Sequence, residues 1–302
     1  MTVLYIDSAL SDDARREKLY AGDVFVYSPT SASKALCEFA RQLLREAFGS
    51  LDPERAQYEM PVEQFARVLA EVKPKFIHHD ESKRLIRALL RELGCDEQET
   101  YFDVPRMRSS TSDGYLTTGI AYAFHPHRDT WYSAPMCQIN WWMPIYDVEG
   151  GNVMAFHPQY WSKPVRNGSA SYDYQRWNAT SRYIAAQQIG KDTREQPRPL
   201  DPIDTSNDIR VVTPVGGVML FSAAQLHSSV PNNTGRTRYS IDFRVINLRD
   251  AQENRGAPNV DSYCTGTAMC DFLRLKDLQH VPQELIDRYM PGHPQKPLAP
   301  AA

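Results

Sequence analysis

His127 and Asp129 lie two residues apart, and His227 follows one hundred residues after the first of them. On a β-strand, side chains at i and i+2 point to the same face. His127 and Asp129 can therefore reach one ion while Arg128 points away from it. For His227 to join them, the intervening chain must fold back and lay a second strand beside the first. Two imidazoles and one carboxylate would then hold three positions on one face of an octahedral metal, leaving the other three open. This is the facial arrangement of non-haem Fe(II) sites. Arg238, eleven residues beyond His227, adds a planar fork suited to a carboxylate.

A second His-x-Asp triplet, His78-His79-Asp80, reads differently. The apolar residues after it, Leu85, Ile86, Leu89, Leu90 and Leu93, recur at helical spacing, so Asp80 is expected to be a helix N-cap and both histidines solvated. Tyr115–Phe124, rich in aromatic and β-branched residues, reads as a strand leading into His127. Val211–Ser222 reads as strand, Gly216-Gly217 turn, strand, with His227 just beyond it. Asn232–Gly235 is a turn cluster, and Arg238–Ile246 alternates as another strand.

Three runs carry a family likeness: His127-Arg-Asp129, Trp142-Met-Pro-Ile-Tyr-Asp147 and Gly150-Gly-Asn-Val-Met-Ala-Phe-His-Pro158. A fourth is Leu226-His-Ser-Ser-Val-Pro-Asn232 continuing to Arg238. In this order and spacing, the stretch 115–248 resembles the phytanoyl-CoA hydroxylase-like Fe(II)/2-oxoglutarate dioxygenases, a group that includes ectoine hydroxylase. The resemblance implies a mainly β fold with helical additions, built on a double-stranded β-helix (jelly roll, cupin-like) core. It implies Fe(II) held by His127, Asp129 and His227, with 2-oxoglutarate and dioxygen at the open positions and succinate and CO2 released. It also implies that Arg238 pairs the distal carboxylate of 2-oxoglutarate, helped by the Ser229 hydroxyl. The chain departs from its relatives at His157-Pro-Gln-Tyr-Trp161, where they carry a Gly-Ser-His ending. Iron halogenases of this fold replace the carboxylate with a small residue, so Asp129 argues for oxygenation, desaturation or cyclisation.

The 302 residues read as a single domain without internal repeats. Residues 1–114 are expected to be mostly helical. The stripes Leu36, Phe39, Leu43, Leu44, Phe48 (stopped by Gly49) and Phe65, Val68, Leu69, Val72 (stopped by Pro74) should pack on a sheet. Residues 115–158 and 209–248 supply the core. The tail, 249–302, carries one helix near Pro282–Tyr289 and a proline-rich end, Pro291–Pro300, expected to fray. The segment 159–208 combines Tyr160, Trp161, Tyr172, Tyr174, Trp177 and Tyr183 with several arginines. A long irregular insertion of that composition reads as a lid over the barrel mouth.

A net charge of −3 with interspersed signs excludes a nucleic-acid surface. No basic leader and no 18-residue apolar run is present, so a soluble cytoplasmic protein without membrane contact is expected. Five scattered cysteines lack metal or disulfide spacing. Around the metal ligands, Asn140 is expected near 2-oxoglutarate, and Trp131, Tyr132, Trp161 and Arg108 are expected against a small polar substrate. Arg106 and Arg108 are weaker carboxylate binders than Arg238, and His125 has a supporting role. The function implied is hydroxylation of a small metabolite. Two other readings are a non-oxidative cupin-type isomerase or epimerase, and a non-catalytic binding module on the same fold.

Overall fold

The computed structural model describes residues 2–294. Residues 295–300 of the proline-rich end lie outside the described residues. Eleven strands form two sheets: β1 (Leu4–Ile6), β2 (Val24–Tyr27), β3 (Thr100–Phe102), β4 (Arg106–Ser110), β5 (Ile139–Pro144), β6 (Met154–Phe156), β7 (Ile209–Arg210), β8 (Val218–Ser222), β9 (His227–Ser229), β10 (Arg238–Asn247) and β11 (Leu273–Arg274). The major sheet runs β1-β2-β8-β5-β10-β3-β11, with β4 also paired to β10. The minor sheet runs β7-β6-β9. The fold is a double-stranded β-helix with helical additions.

β10 is the axis of the major sheet. One edge pairs antiparallel with β5, and the other pairs with β4 over Arg238–Asp242 and with β3 over Val245–Asn247. Its residues alternate strictly. Tyr239, Ile241 and Phe243 are fully buried on one side, whereas Arg238, Ser240, Asp242 and Arg244 occupy the other. The apolar side packs under helices α2 (Ser31–Phe48), α3 (Val62–His78) and α4 (Asp80–Glu92), with Phe48 edge-on to Tyr239. Burying each such side chain stabilises the fold by about 1.5–3 kcal/mol. The polar side faces the minor sheet. Trp142, Met219 and Phe221 of the major sheet meet Phe156 of the minor one, whose ring is 5.0 Å from Phe221.

Several elements differ from the sequence reading. Residues 1–114 hold four strands besides α1 (Asp12–Tyr20) and the three larger helices. Val24-Phe-Val-Tyr27 has the alternation of a strand, and it joins β8. Tyr115–Phe124 is not a strand but irregular chain with a short 3-10 turn at Gly119–Ala121. Lys73 holds that turn from below, donating to the Ile120 carbonyl at 2.5 Å and to Ser109 Oγ at 2.9 Å. Val211–Ser222 is not a hairpin, because β7 belongs to the minor sheet and β8 to the major one. The Gly216-Gly217 turn marks the crossing between sheets. Gly216 takes φ 75°, and a Cβ on Gly217 would lie 2.8 Å from Thr213 Cβ.

α3 continues through Pro74 because Phe76 extends its buried stripe, which offsets a proline cost of about 3 kcal/mol. The cap of α4 is His79 rather than Asp80: its Nδ1 accepts the Glu81 N–H at 3.1 Å. The segment 159–208 carries α5 (Tyr174–Thr180) and several 3-10 turns. α6 (Leu248–Glu253) and α7 (Gln283–Tyr289) complete the structure, the latter where a tail helix was expected. No helix among the described residues is long and apolar enough to cross a membrane.

Candidate metal centre

His227 opens β9, and His127 bridges to it as a further partner, each N–H donating to the other's carbonyl at 2.9 Å. This pairing brings the distant histidines together, with ring centroids 4.3 Å apart. Asp129 Oδ1 lies 3.3 Å from His127 Nε2 and 3.9 Å from His227 Nε2. One donor atom from each of the three residues lies within 4.8 Å of the others. Ligands at about 2.1 Å and right angles around one ion stand about 3 Å apart, so only small movements would close the set on a metal.

The backbone aims both rings. His127 Nδ1 is 2.8 Å from the His125 carbonyl, and His227 Nδ1 is 2.9 Å from the Gln225 carbonyl. A carbonyl only accepts, so each Nδ1 carries the proton and each Nε2 presents its lone pair to the centre. Burial, followed by the neighbouring His127, pulls the His227 pKa down to about 4, keeping it neutral and ready to ligate. Burial disfavours a charged Asp129, yet the Arg244 guanidinium nearby helps hold the carboxyl well below its usual range.

Arg128 points away from the centre, as the i, i+2 geometry requires. It is 1% exposed, donates to Asp261 Oδ2 at 3.1 Å and reaches the carbonyls of Ala224, Tyr160 and Lys163. His125 is not a ligand, since its ring nitrogens contact the Pro197 carbonyl at 2.8 Å and Tyr122 Oη at 3.1 Å. His78 ends α3 and His79 caps α4, away from the triad.

Arg238 lies on the inward face of β10, opposite Ser110. It is 7% exposed, and its Nε and Nη1 have no hydrogen-bond partner among the described residues. Its guanidinium carbon sits 5.9 Å from the Trp142 ring centroid. Burial draws its pKa down to about 10, so it stays cationic at neutral pH. A buried, charged fork with two unused donors fits the carboxylate of a small dianion.

The neighbouring hydroxyl without a partner belongs to Ser240, fully buried two residues along the same face. Ser229, expected to help Arg238, instead accepts the Phe124 N–H at 3.3 Å. Asn140 lies opposite Arg244 in the sheet and accepts from Gln138 Nε2 at 3.0 Å, leaving Gln138 Oε1 unpaired. Ser240 was legible only as an alternating polar residue on a strand.

The four expected substrate residues divide. Tyr132 stands edge-on to His127 at 5.5 Å, and Arg108 chelates Asp242 at 2.6 and 3.3 Å while lying over Phe124, which stacks on His127. Trp131 and Trp161 are placed elsewhere. Trp131 is fully buried with Tyr160, Val165 and Leu226, its indole N–H donating to Asp261, because a large apolar ring gains most from complete burial. Trp161 covers Gly22, where only a glycine leaves it room.

The 159–208 segment lies beside the centre. Tyr172 packs 5.3 Å from Tyr132, and the Tyr132 hydroxyl donates to the Pro197 carbonyl at 3.1 Å. A cavity of about 590 Å³ is lined by residues flanking both histidines, including Phe124, His125, Pro126, Ser228 and Ser229.

No known sequence family and no curated protein matches the chain. Among solved structures it is similar to EvdO2 from Micromonospora carbonacea var. aurantiaca complexed with 2-oxoglutarate. That likeness has 14% identity and a TM-score of 0.44, covering 79% of this chain and 92% of that one. It is also similar to SnoN, a non-heme alpha ketoglutarate dependent epimerase from nogalamycin biosynthesis, with 14% identity, a TM-score of 0.38 and coverage of 78% and 84%. A third is the apo form of the non-heme monooxygenase ThoJ, with 13% identity, a TM-score of 0.36 and coverage of 73% and 71%.

Proposed function

We propose that this chain is an Fe(II)/2-oxoglutarate-dependent oxygenase of the phytanoyl-CoA hydroxylase-like type that hydroxylates a small polar metabolite. His127, Asp129 and His227 hold the iron. Arg238 takes the distal carboxylate of 2-oxoglutarate, with Ser240 beside it, Trp142 beneath it and Asn140 on the adjoining strand. Iron with 2-oxoglutarate and dioxygen supplies the oxidising power to attack an unactivated C–H bond, with succinate and CO2 as co-products.

The protein's part is orientation and exclusion of water. The two backbone carbonyls fix the imidazole tautomers. Tyr132, Tyr172 and the Pro197 region close over the His127 side. The observation that carries this reading is the unpartnered Arg238. A non-oxidative cupin-type enzyme or a binding module needs no buried free guanidinium, whereas a co-substrate carboxylate answers it.

Adding 2-oxoglutarate to the anaerobic Fe(II) protein should produce a visible metal-to-ligand charge-transfer band. A substrate screen should find metabolites that stimulate succinate formation. Iron binding with no such band would reject 2-oxoglutarate as the co-substrate.

A further inference from the structure

Arg244 lies three pairs along β10 from Arg238, opposite Asn140, and its guanidinium meets three carboxylates. Asp103 holds it most closely. The Arg244 N–H donates to Asp103 Oδ1 at 2.7 Å, and its Nη1 donates to Oδ2 at 3.1 Å. Asp103 is 2% exposed and returns its own N–H to the Arg244 carbonyl at 3.0 Å, so the two residues lock β3 and β10 as a unit. Asp242 Oδ2 stands 4.0 Å from Nη2. The third carboxylate is Asp129, whose Oδ2 is 3.9 Å from Arg244 Nε.

The two oxygens of Asp129 therefore have different neighbours. Oδ1 faces both histidine Nε2 atoms, and Oδ2 faces Arg244. We infer that Arg244, braced by Asp103, is a positioning residue that reserves Asp129 Oδ2 and restricts this carboxylate to one-oxygen ligation through Oδ1. This inference rests on the metal-site reading above. Chelation through both oxygens would occupy a position needed by a co-substrate or dioxygen, so the restriction keeps three adjacent positions open. The cation does not simply repel the metal, because the Asp103 carboxylate 3.1 Å away carries the opposite charge. Arg108, paired with Asp242, sits one step further along the same face and has no contact with Asp129.

The test uses Co(II) binding, followed by its visible ligand-field spectrum, in the full-length protein without co-substrate. The D103N/R244M double variant keeps the net charge and removes the brace. It should bind Co(II) roughly tenfold to a hundredfold more weakly, as loss of a group that orients a ligand commonly does. It should also show a shifted spectrum, which a purely structural role would not produce. R244K, retaining a cation near Oδ2, should recover most of the affinity. If the double variant loses its cooperative thermal transition, R244Q is read in the same way.

Unchanged Co(II) affinity and spectrum would overturn the inference. So would a variant that binds Co(II) normally but loses 2-oxoglutarate, because Arg244 would then be a co-substrate ligand. Failure of the wild-type protein to bind Co(II) would instead reject the metal site itself, and the inference with it.

Discussion

Arg238→Met should strengthen the metal-free fold and cripple co-substrate binding. In the structure the guanidinium is almost fully buried, remains charged at neutral pH and leaves Nε and Nη1 without partners. Each unsatisfied donor costs about 1–3 kcal/mol, only partly relieved by the Trp142 face. Methionine has similar length and no polar atoms. The variant is expected to gain roughly 1–3 kcal/mol, a rise in Tm of about 2–4 °C per kcal/mol for a protein of this size. The co-substrate carboxylate would lose a charge-assisted pair worth about 1.5–3 kcal/mol, weakening 2-oxoglutarate by about 10- to 150-fold. Thermal unfolding of the metal-free protein measures the first effect, and anaerobic titration of the charge-transfer band measures the second. Stabilisation by 2-oxoglutarate, about 2.7 kcal/mol at a hundred times the wild-type Kd, should fall to about 0.3–1.4 kcal/mol in the variant at the same concentration. A variant that is less stable than wild type and binds 2-oxoglutarate equally well would refute the reasoning, since Arg238 would then be a structural cation.

Replacing His127, Asp129 or His227 by Ala should abolish Fe(II) binding by calorimetry, while His78→Ala and His79→Ala leave it intact. Asp261→Ala should lower stability by about 3–5 kcal/mol in denaturant unfolding, because it strips the buried Arg128 of its counter-charge and frees the Trp131 and Val165 N–H groups. Breaking the exposed Arg166–Asp201 pair should have no measurable effect on the same scale. Burial lowers both His227 and His293 from 6.5 to about 4. A depressed folded-state pKa means that their contribution is complete above pH 6.5 and is lost as pH falls through 4. The metal-free protein should therefore lose up to about 1.4 kcal/mol per pH unit per histidine in that window. A flat Tm from pH 6.5 to 4 would contradict the burial of these rings.

The triad was legible because its information is local. His127 and Asp129 share a face because Arg128 between them is extended, although Asp129 opens the 3-10 turn Asp129–Tyr132 rather than continuing a strand, and His227 had only to bridge to His127. The helices α2 and α4 were equally legible, since an apolar stripe at helical spacing specifies its own buried side. The misreadings came where context decides. Tyr115–Phe124 has strand composition, yet it pairs with neither sheet and crosses as irregular chain with a 3-10 turn at Gly119–Ala121. Gly216-Gly217 has the chemistry of a hairpin turn, but the flanking strands belong to different sheets. Trp131 lies only two residues after Asp129, yet the backbone turns it into the apolar cluster with Tyr160, Val165 and Leu226.

β10 shows why the remainder of the site was harder to see. A strand that alternates polar and apolar residues ordinarily has one solvated face, so Arg238, Ser240, Asp242 and Arg244 read naturally as surface. In a sandwich that face is covered by the second sheet, and each charge on it then needs an answer. Asp103 answers Arg106 and Arg244, and Asp242 answers Arg108. Arg238 lies on the same covered face, feels Asp242 only at a distance, and has two donor nitrogens without a hydrogen bond among the described residues. Three of these four inward arginines have a carboxylate within ion-pair distance, and the fourth, Arg238, keeps two donor nitrogens without a hydrogen bond among the described residues, so an anion from outside the chain is the partner it lacks.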